Sequence, residues 1–146
     1  MHRAGPWSRE QVDDFLASAR TPMRLAGVSS EGWPVIASLW YQPGDGELWC
    51  ATPARSGIAR LLAREPRCGF EIAVNEPPYR GVRGRGRARL EADRGDEVLA
   101  ELVERYLGSE PTSFTQWLLG RAVEEVAICV EVDRLTSWDF GERMGG

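Results

Sequence analysis

Between Trp33 and Arg67 the chain sets out two strand-like segments, a tight turn and a short helix in quick succession, and this stretch limits the possible folds more than any other. Pro34 to Tyr41 is rich in β-branched and aromatic residues, Pro43-Gly44-Asp45-Gly46 has turn chemistry, and Glu47 to Thr52 resumes the extended pattern. The pattern predicts a β-hairpin. Ser56-Gly57 then offers a cap for a helix over Ile58 to Arg64, which Pro66 ends. A strand that delivers a Thr and a Ser to a helix N-terminus makes an anion pocket plausible, because the first backbone N–H groups of a helix have no internal partner.

Further strands follow from alternation. Met23 to Ser29 reads as one strand, closed by the turn Ser30-Glu31-Gly32. Arg67 to Asn75 alternates Cys68, Phe70, Ile72 and Val74 against smaller or polar neighbours, and Glu125 to Asp133 does the same with Val126, Ile128, Val130 and Val132, with an extension toward Trp138. Helices are predicted over Arg9 to Arg20, where Ser8 and Gln11 form a capping box, after Asp93, where Val98, Leu99, Leu102, Val103 and Tyr106 make a stripe that Gly108 stops, and over Pro111 to Arg121, with Phe114, Trp117 and Leu118 turned inward. The resulting fold class is mainly β with peripheral helices (α+β), a split β-barrel of about six mostly antiparallel strands. One domain over residues 1–146 is expected, with an N-terminal helix and a helical insertion before the last strand.

Tyr79 to Glu91 is the most unusual segment. Arg83, Arg85, Arg87 and Arg89 share one parity, while Gly84, Gly86, Ala88 and Leu90 share the other. Glycines inside a strand point to a barrel corner, a bulge, or close approach by another backbone or a ligand. The arginines form either a solvated outer face or a contact for a phosphate or an acidic partner.

Charge and rare residues exclude several classes of chemistry. All 18 basic side chains are arginine, so Schiff-base chemistry and a phosphate-loop lysine are absent and every cationic role falls to guanidinium groups. The single histidine, His2, sits at a terminus expected to be mobile, which removes triads, Cys–His pairs and histidine metal centres. Cys50, Cys68 and Cys129 are odd in number and lack ligand spacing, so buried thiols are expected and a structural zinc is not. A net charge of −4 argues against a nucleic-acid partner. No apolar run reaches the length of a membrane span and no signal pattern opens the chain, so a cytoplasmic location is expected.

Taken together, Trp33-Pro34-Val35, the segment ending Cys50-Ala51-Thr52, then Ser56, Leu61, Glu65-Pro66-Arg67, Gly86-x-Ala88-x-Leu90 and finally Trp138 resemble the pyridoxine phosphate oxidase-like family of split-barrel flavin-binding proteins. The resemblance runs from about Thr21 to Phe140. It implies a homodimer that holds flavin mononucleotide (FMN), or in some branches a deazaflavin, between two barrels and acts on a small-molecule substrate. It further implies that Ile36, Ala37, Ser38, Leu39 and Trp40 run beside the flavin ring, that Ala51 and Thr52 with Ser56 meet its phosphate or ribityl chain, and that Trp138 approaches from the partner. Much of the family has an Arg-Lys pair after the serine; Gly57 and Ile58 stand there in this chain. Arg55 and Arg60, with Arg80 or Arg83, are the cations at hand to substitute. The family's substrate-gripping tail is also missing, so pyridoxine phosphate oxidase activity itself is not implied. Arg143 is the one residue near the C-terminus placed for a tail contact. A carrier of flavin, deazaflavin or haem on the same fold is the alternative to an enzyme.

Overall fold

The computed structural model describes residues 1–141. Eight strands and four helices occur among them, in the order β1 (His2–Ala4), α1 (Arg9–Ser18), β2 (Met23–Val28), β3 (Pro34–Leu39), β4 (Gln42–Pro43), β5 (Glu47–Pro53), α2 (Gly57–Arg64), β6 (Arg67–Ala73), β7 (Arg80–Glu91), α3 (Gly95–Leu107), α4 (Ser113–Gly120) and β8 (Glu125–Asp139). All eight strands belong to one sheet with the order β3-β2-β6-β7-β8-β5-β4, and β1 is added in parallel to the far end of β8. Every other pairing is antiparallel. Six strands are long and two are short, so the expected class, mainly β with peripheral helices, is the one observed.

The sheet curls because its alternating residues need a common interior. Met23, Leu25, Leu48, Cys50, Phe70, Ile72, Val82, Ile128, Val130 and Leu135 face inward and are buried together with Ile58, Leu61 and Leu62, through which α2 plugs one end. β3 and β4 are the two ends of the strand order, so β3 has a hydrogen-bonded neighbour only on its β2 side. The outer surface is covered unequally. α3 lays Val98 and Leu102 over Ala127, Trp49 and Ala51, on β5 and the start of β8. Arginines and small residues of β2, β6 and β7 occupy the outer face on the other side.

The expected hairpin is not a pairing of β3 with β5. β3 pairs with β2, and only the short β4 pairs with β5, at Gln42↔Trp49 and Pro43↔Leu48. The extended run breaks at Trp40-Tyr41 because both rings are claimed by helices. Trp40 stacks on Tyr106 at 5.0 Å and 9°. Tyr41 is wholly buried, its hydroxyl donates to Leu16 O at 2.7 Å, and its backbone N–H donates to the Tyr106 hydroxyl at 3.2 Å. Burial raises the Tyr41 pKa to about 12.

Three smaller expectations also change. His2 lies in β1, opposite Arg134, rather than on a loose terminus. The helix after β7 begins at Gly95, because Asp93 is taken up in a 3-10 turn over Ala92–Arg94 and caps nothing. In α4 the buried side is Thr115 and Leu118, while Phe114 and Trp117 are 52% and 59% exposed. By contrast, α1 carries the expected Ser8/Gln11 capping box, and all three cysteines are free and buried. Desolvation pushes their thiols up, to about 11 for Cys68 and about 12 for Cys129, which leaves them inert at neutral pH.

The two glycines of the arginine strand are where another backbone comes close. A Cβ at Gly84 would meet the carbonyl oxygen of Arg134, and one at Gly86 that of Glu131. Between them the β7–β8 pairing slips: Arg85 faces Arg134, Gly86 faces Val132, and Asp133 is left over as a bulge.

Candidate functional site

β5 carries Thr52 to the end of the barrel, opposite Val126, where the side chain is 5% exposed. Its hydroxyl donates to Ser56 Oγ at 3.1 Å. Ser56 is the N-cap of α2 and accepts from Ala59 N–H at 3.2 Å, and Ser56 N–H closes the turn onto Pro53 O at 2.9 Å. The loop is pinned from outside by Ala54 N–H donating to Glu124 O at 2.8 Å. Next to it, the buried Glu125 carboxylate accepts from Arg121 Nη2 at 2.7 Å; desolvation pushes its pKa up and Arg121 works against that shift. Thr52 therefore orients Ser56, and Ser56 presents the first turn of α2.

At that first turn the two residues standing in place of an Arg-Lys pair behave differently. A Cβ at Gly57 would touch nothing, so position 57 is open surface. Ile58 is 6% exposed and belongs to the core, so no cation could stand at 58 without unpacking the barrel end. Arg60 lies three residues after Gly57, on the same side of α2. Arg55 and Arg60 are both exposed, and their guanidinium groups have no ion pair or hydrogen bond among the described residues. The helix end, its capping hydroxyl and two arginines without a counter-charge thus lie within residues 55–60, at the mouth of α2.

On β3, Ala37 and Leu39 turn inward against the core, whereas Ile36 and Ser38 are exposed. Trp40 packs with Ala51 against α3 and α4. The remaining expected residues lie elsewhere. Arg80 sits over the Phe15 ring at 5.8 Å, and Arg83 over the Trp138 ring at 5.4 Å, with Trp138 opposite Gly81. Thr52 pairs at Val126 and Arg83 at Thr136, ten residues apart on β8, which is roughly 33 Å of strand. One chain thus carries Thr52, Arg55, Ser56 and Arg60 at the mouth of α2, turns Ala51 away from it under α3, and places Arg80, Arg83 and Trp138 at the opposite end of β8. Arg143 lies outside the described residues.

The strand register gathers polar residues of the outer face that stand far apart in the sequence. Arg24, Glu71, Arg134 and Thr136 join Arg83 and Arg85 around a cavity of about 690 Å³ that Ile36 also lines. Their individual segments carry no signal for it, since only the cross-strand register brings them together. Among the described residues no cluster of metal-ligating side chains occurs, and no helix is long and apolar enough to cross a membrane.

The family model for pyridoxamine 5'-phosphate oxidase matches residues 8–134. The chain belongs to the pyridoxamine 5'-phosphate oxidase-like family. The matched region runs from the cap of α1 into the second half of β8 and leaves Trp138 beyond it. Among solved structures, this family member is similar to a conserved hypothetical protein from Mycobacterium tuberculosis, with 30% identity and a TM-score of 0.76 over 92% of this chain and 86% of that one. An F420 reductase (20% identity, TM-score 0.67, 84% and 94% covered) and an FAD-binding protein from Mesorhizobium loti (17%, 0.66, 90% and 93%) share the fold. No curated protein sequence matches it.

Proposed function

We propose that this pyridoxamine 5'-phosphate oxidase-like chain is a cytoplasmic homodimeric oxidoreductase that holds FMN or a deazaflavin between two copies of itself. The observation that carries the reading is the N-terminal end of α2, where Ser56 caps the helix and the exposed Arg55 and Arg60, close to it in the chain, carry no internal counter-charge among the described residues. Such a mouth suits a phosphate, which needs N–H donors and guanidinium groups around it. The open edge of β3 leaves backbone groups of Ile36 to Leu39 available to the polar rim of a flat ring. Arg80, Arg83 and Trp138 are too far along β8 to serve the same chain's mouth, and would serve that of a partner copy.

When bound, the flavin supplies hydride transfer to or from a small-molecule substrate, so the chain itself needs no catalytic base. This agrees with a chain without lysine whose one histidine is in β1. The protein's part is to bind, orient and exclude water. The departure at Gly57 and Ile58 favours a second reading, a carrier of flavin, deazaflavin or haem without turnover, because it removes cations that the family uses.

The experiment is titration of the purified protein with FMN, a deazaflavin and haem, followed by absorbance and fluorescence. Saturable binding of one flavin per chain is expected, weakened about ten-fold or more when Arg55 and Arg60 are both changed to Ala. Equal affinity in that variant would remove the mouth of α2 as the phosphate site.

A further inference from the structure

The hollow on the outer face of the sheet is built by two adjacent cross-strand rows. One row reads Arg24, Glu71, Arg83, Thr136, and the next reads Ala26, Gly69, Arg85, Arg134. Ala26, Gly69 and Gly84 supply almost no side-chain volume, so the middle of the face is low, and Ile36 stands at its side. The cavity of about 690 Å³ falls within the ordinary range for small-molecule sites.

Its charge is unusual for a protein with a net charge of −4. Four arginines line the hollow against one carboxylate, Glu71, and Arg24 and Arg83 flank Glu71 in register without closing an ion pair among the described residues. The bulge at Asp133 brings Arg85 directly opposite Arg134, a like-charge pairing that a sheet ordinarily avoids because it is destabilising. Asp133 answers only half of it, through Arg85 Nε at 3.0 Å, and leaves Arg134 with no partner among the described residues. A fold that sets two arginines in register beside a floor of glycine and alanine, both lining one cavity, has the makings of an anion seat.

The geometry points to this hollow as the binding site of a small polyanion with a flat apolar body, carrying two or more carboxylate or phosphate groups. The apolar body rests on Ala26, Gly69 and Ile36, and the acidic groups reach Arg85, Arg134 and Arg24. Because Ile36 belongs to the same strand that would run beside the flavin, the occupant is the substrate of the proposed oxidoreductase. That last step rests on the function proposed above, whereas binding to the hollow does not.

The probe is trimesate, a benzene ring with three carboxylates, titrated calorimetrically into the full chain with benzoate as the single-charge control. The expected result is saturable binding of one trimesate per chain, about ten-fold or more tighter than benzoate, and weakened about ten-fold or more in the double variant Arg85→Gln, Arg134→Gln. FMN affinity should be the same in that variant as in the wild type, and trimesate should still bind when FMN is saturating. Absence of saturable trimesate binding, equal binding in the double variant, or complete displacement by FMN would each overturn the assignment. Displacement would give the hollow to the cofactor. Failure of FMN to bind while trimesate binds would remove the flavin reading and the substrate role but keep the polyanion site.

Discussion

Position 57 shows how much one side chain decides at a helix end. Gly57 leaves the first turn of α2 open, and its neighbour Ile58 is committed to the core, so positive charge can be restored at 57 but not at 58. Gly57→Arg should therefore tighten FMN binding about ten-fold while leaving the fold intact, as read by fluorescence titration and thermal melting. A variant with unchanged affinity would mean that the phosphate does not sit at α2. A second residue-scale prediction concerns acid stability. Glu65 accepts from Arg67 Nε at 3.0 Å and from Arg67 N–H at 3.1 Å, and these bonds hold its pKa at about 2 against an ordinary 4.5. A carboxylate lowered in the folded state adds stability above its unfolded pKa and loses it as the pH falls through the folded one. The contribution is thus complete above about pH 5 and gone near pH 2, and Glu65→Gln should flatten that part of the pH profile of urea unfolding. Thr52 and Ser56 were legible in the sequence because a strand end, a hydroxyl and a capped helix follow each other locally. The destination of Ile58 was not, since nothing local says which face of a short helix meets the barrel.

At the scale of elements, strand alternation was readable and strand partnership was not. β6 and β8 announce themselves through a period of two, whereas the segment from Pro34 to Thr52 looks like a hairpin and is instead a crossing from one sheet edge to the other. What redirects it is tertiary: Trp40 and Tyr41 are held by Tyr106, Leu16 and their helices. The same cause misplaced Phe114 and Trp117, because an aromatic stripe on α4 gives no sign of which side α3 will cover. Arg105 is the fastener of this region. It lies over the Tyr41 ring at 5.1 Å and donates to Leu16 O, Ala17 O and Ala19 O at 3.0, 3.1 and 2.9 Å, so that α3 supplies the end of α1 with the donors its last carbonyls lack. Arg105→Met keeps the aliphatic volume and removes the donors. It should cost about 1–3 kcal/mol in chemical unfolding, and a loss well under 1 kcal/mol would show that water replaces the guanidinium at no penalty.

The whole molecule is a sheet with one side finished and one side unfinished. α3 and α4 close the outer face over β5 and the start of β8, whereas β3 keeps an open hydrogen-bonding edge and exposes Trp33 and Ile36, each 69% accessible. An unprotected edge flanked by large apolar side chains is a liability in a monomer and an asset in a dimer. The function proposed above assigns the expected flavin residues at the mouth of α2 and those at the far end of β8 to two different copies of the chain, which makes the dimer contact its first test. Trp33 follows the β2–β3 turn, with its N–H bonded to Ser29 Oγ at 3.1 Å and its ring in solvent, so Trp33→Glu should leave the isolated fold as stable as before. If the β3 edge is the dimer contact, a buried aromatic anchor there contributes at least about 2 kcal/mol, roughly thirty-fold in the dimer dissociation constant. Sedimentation velocity at micromolar concentration should then show a dimeric wild type and a largely monomeric variant, and the variant should lose flavin affinity together with its partner. A variant that stays dimeric and keeps its flavin would place the contact elsewhere. A wild type that sediments as a monomer yet binds flavin would confine the whole site to one chain, with the mouth of α2 as its only anchor.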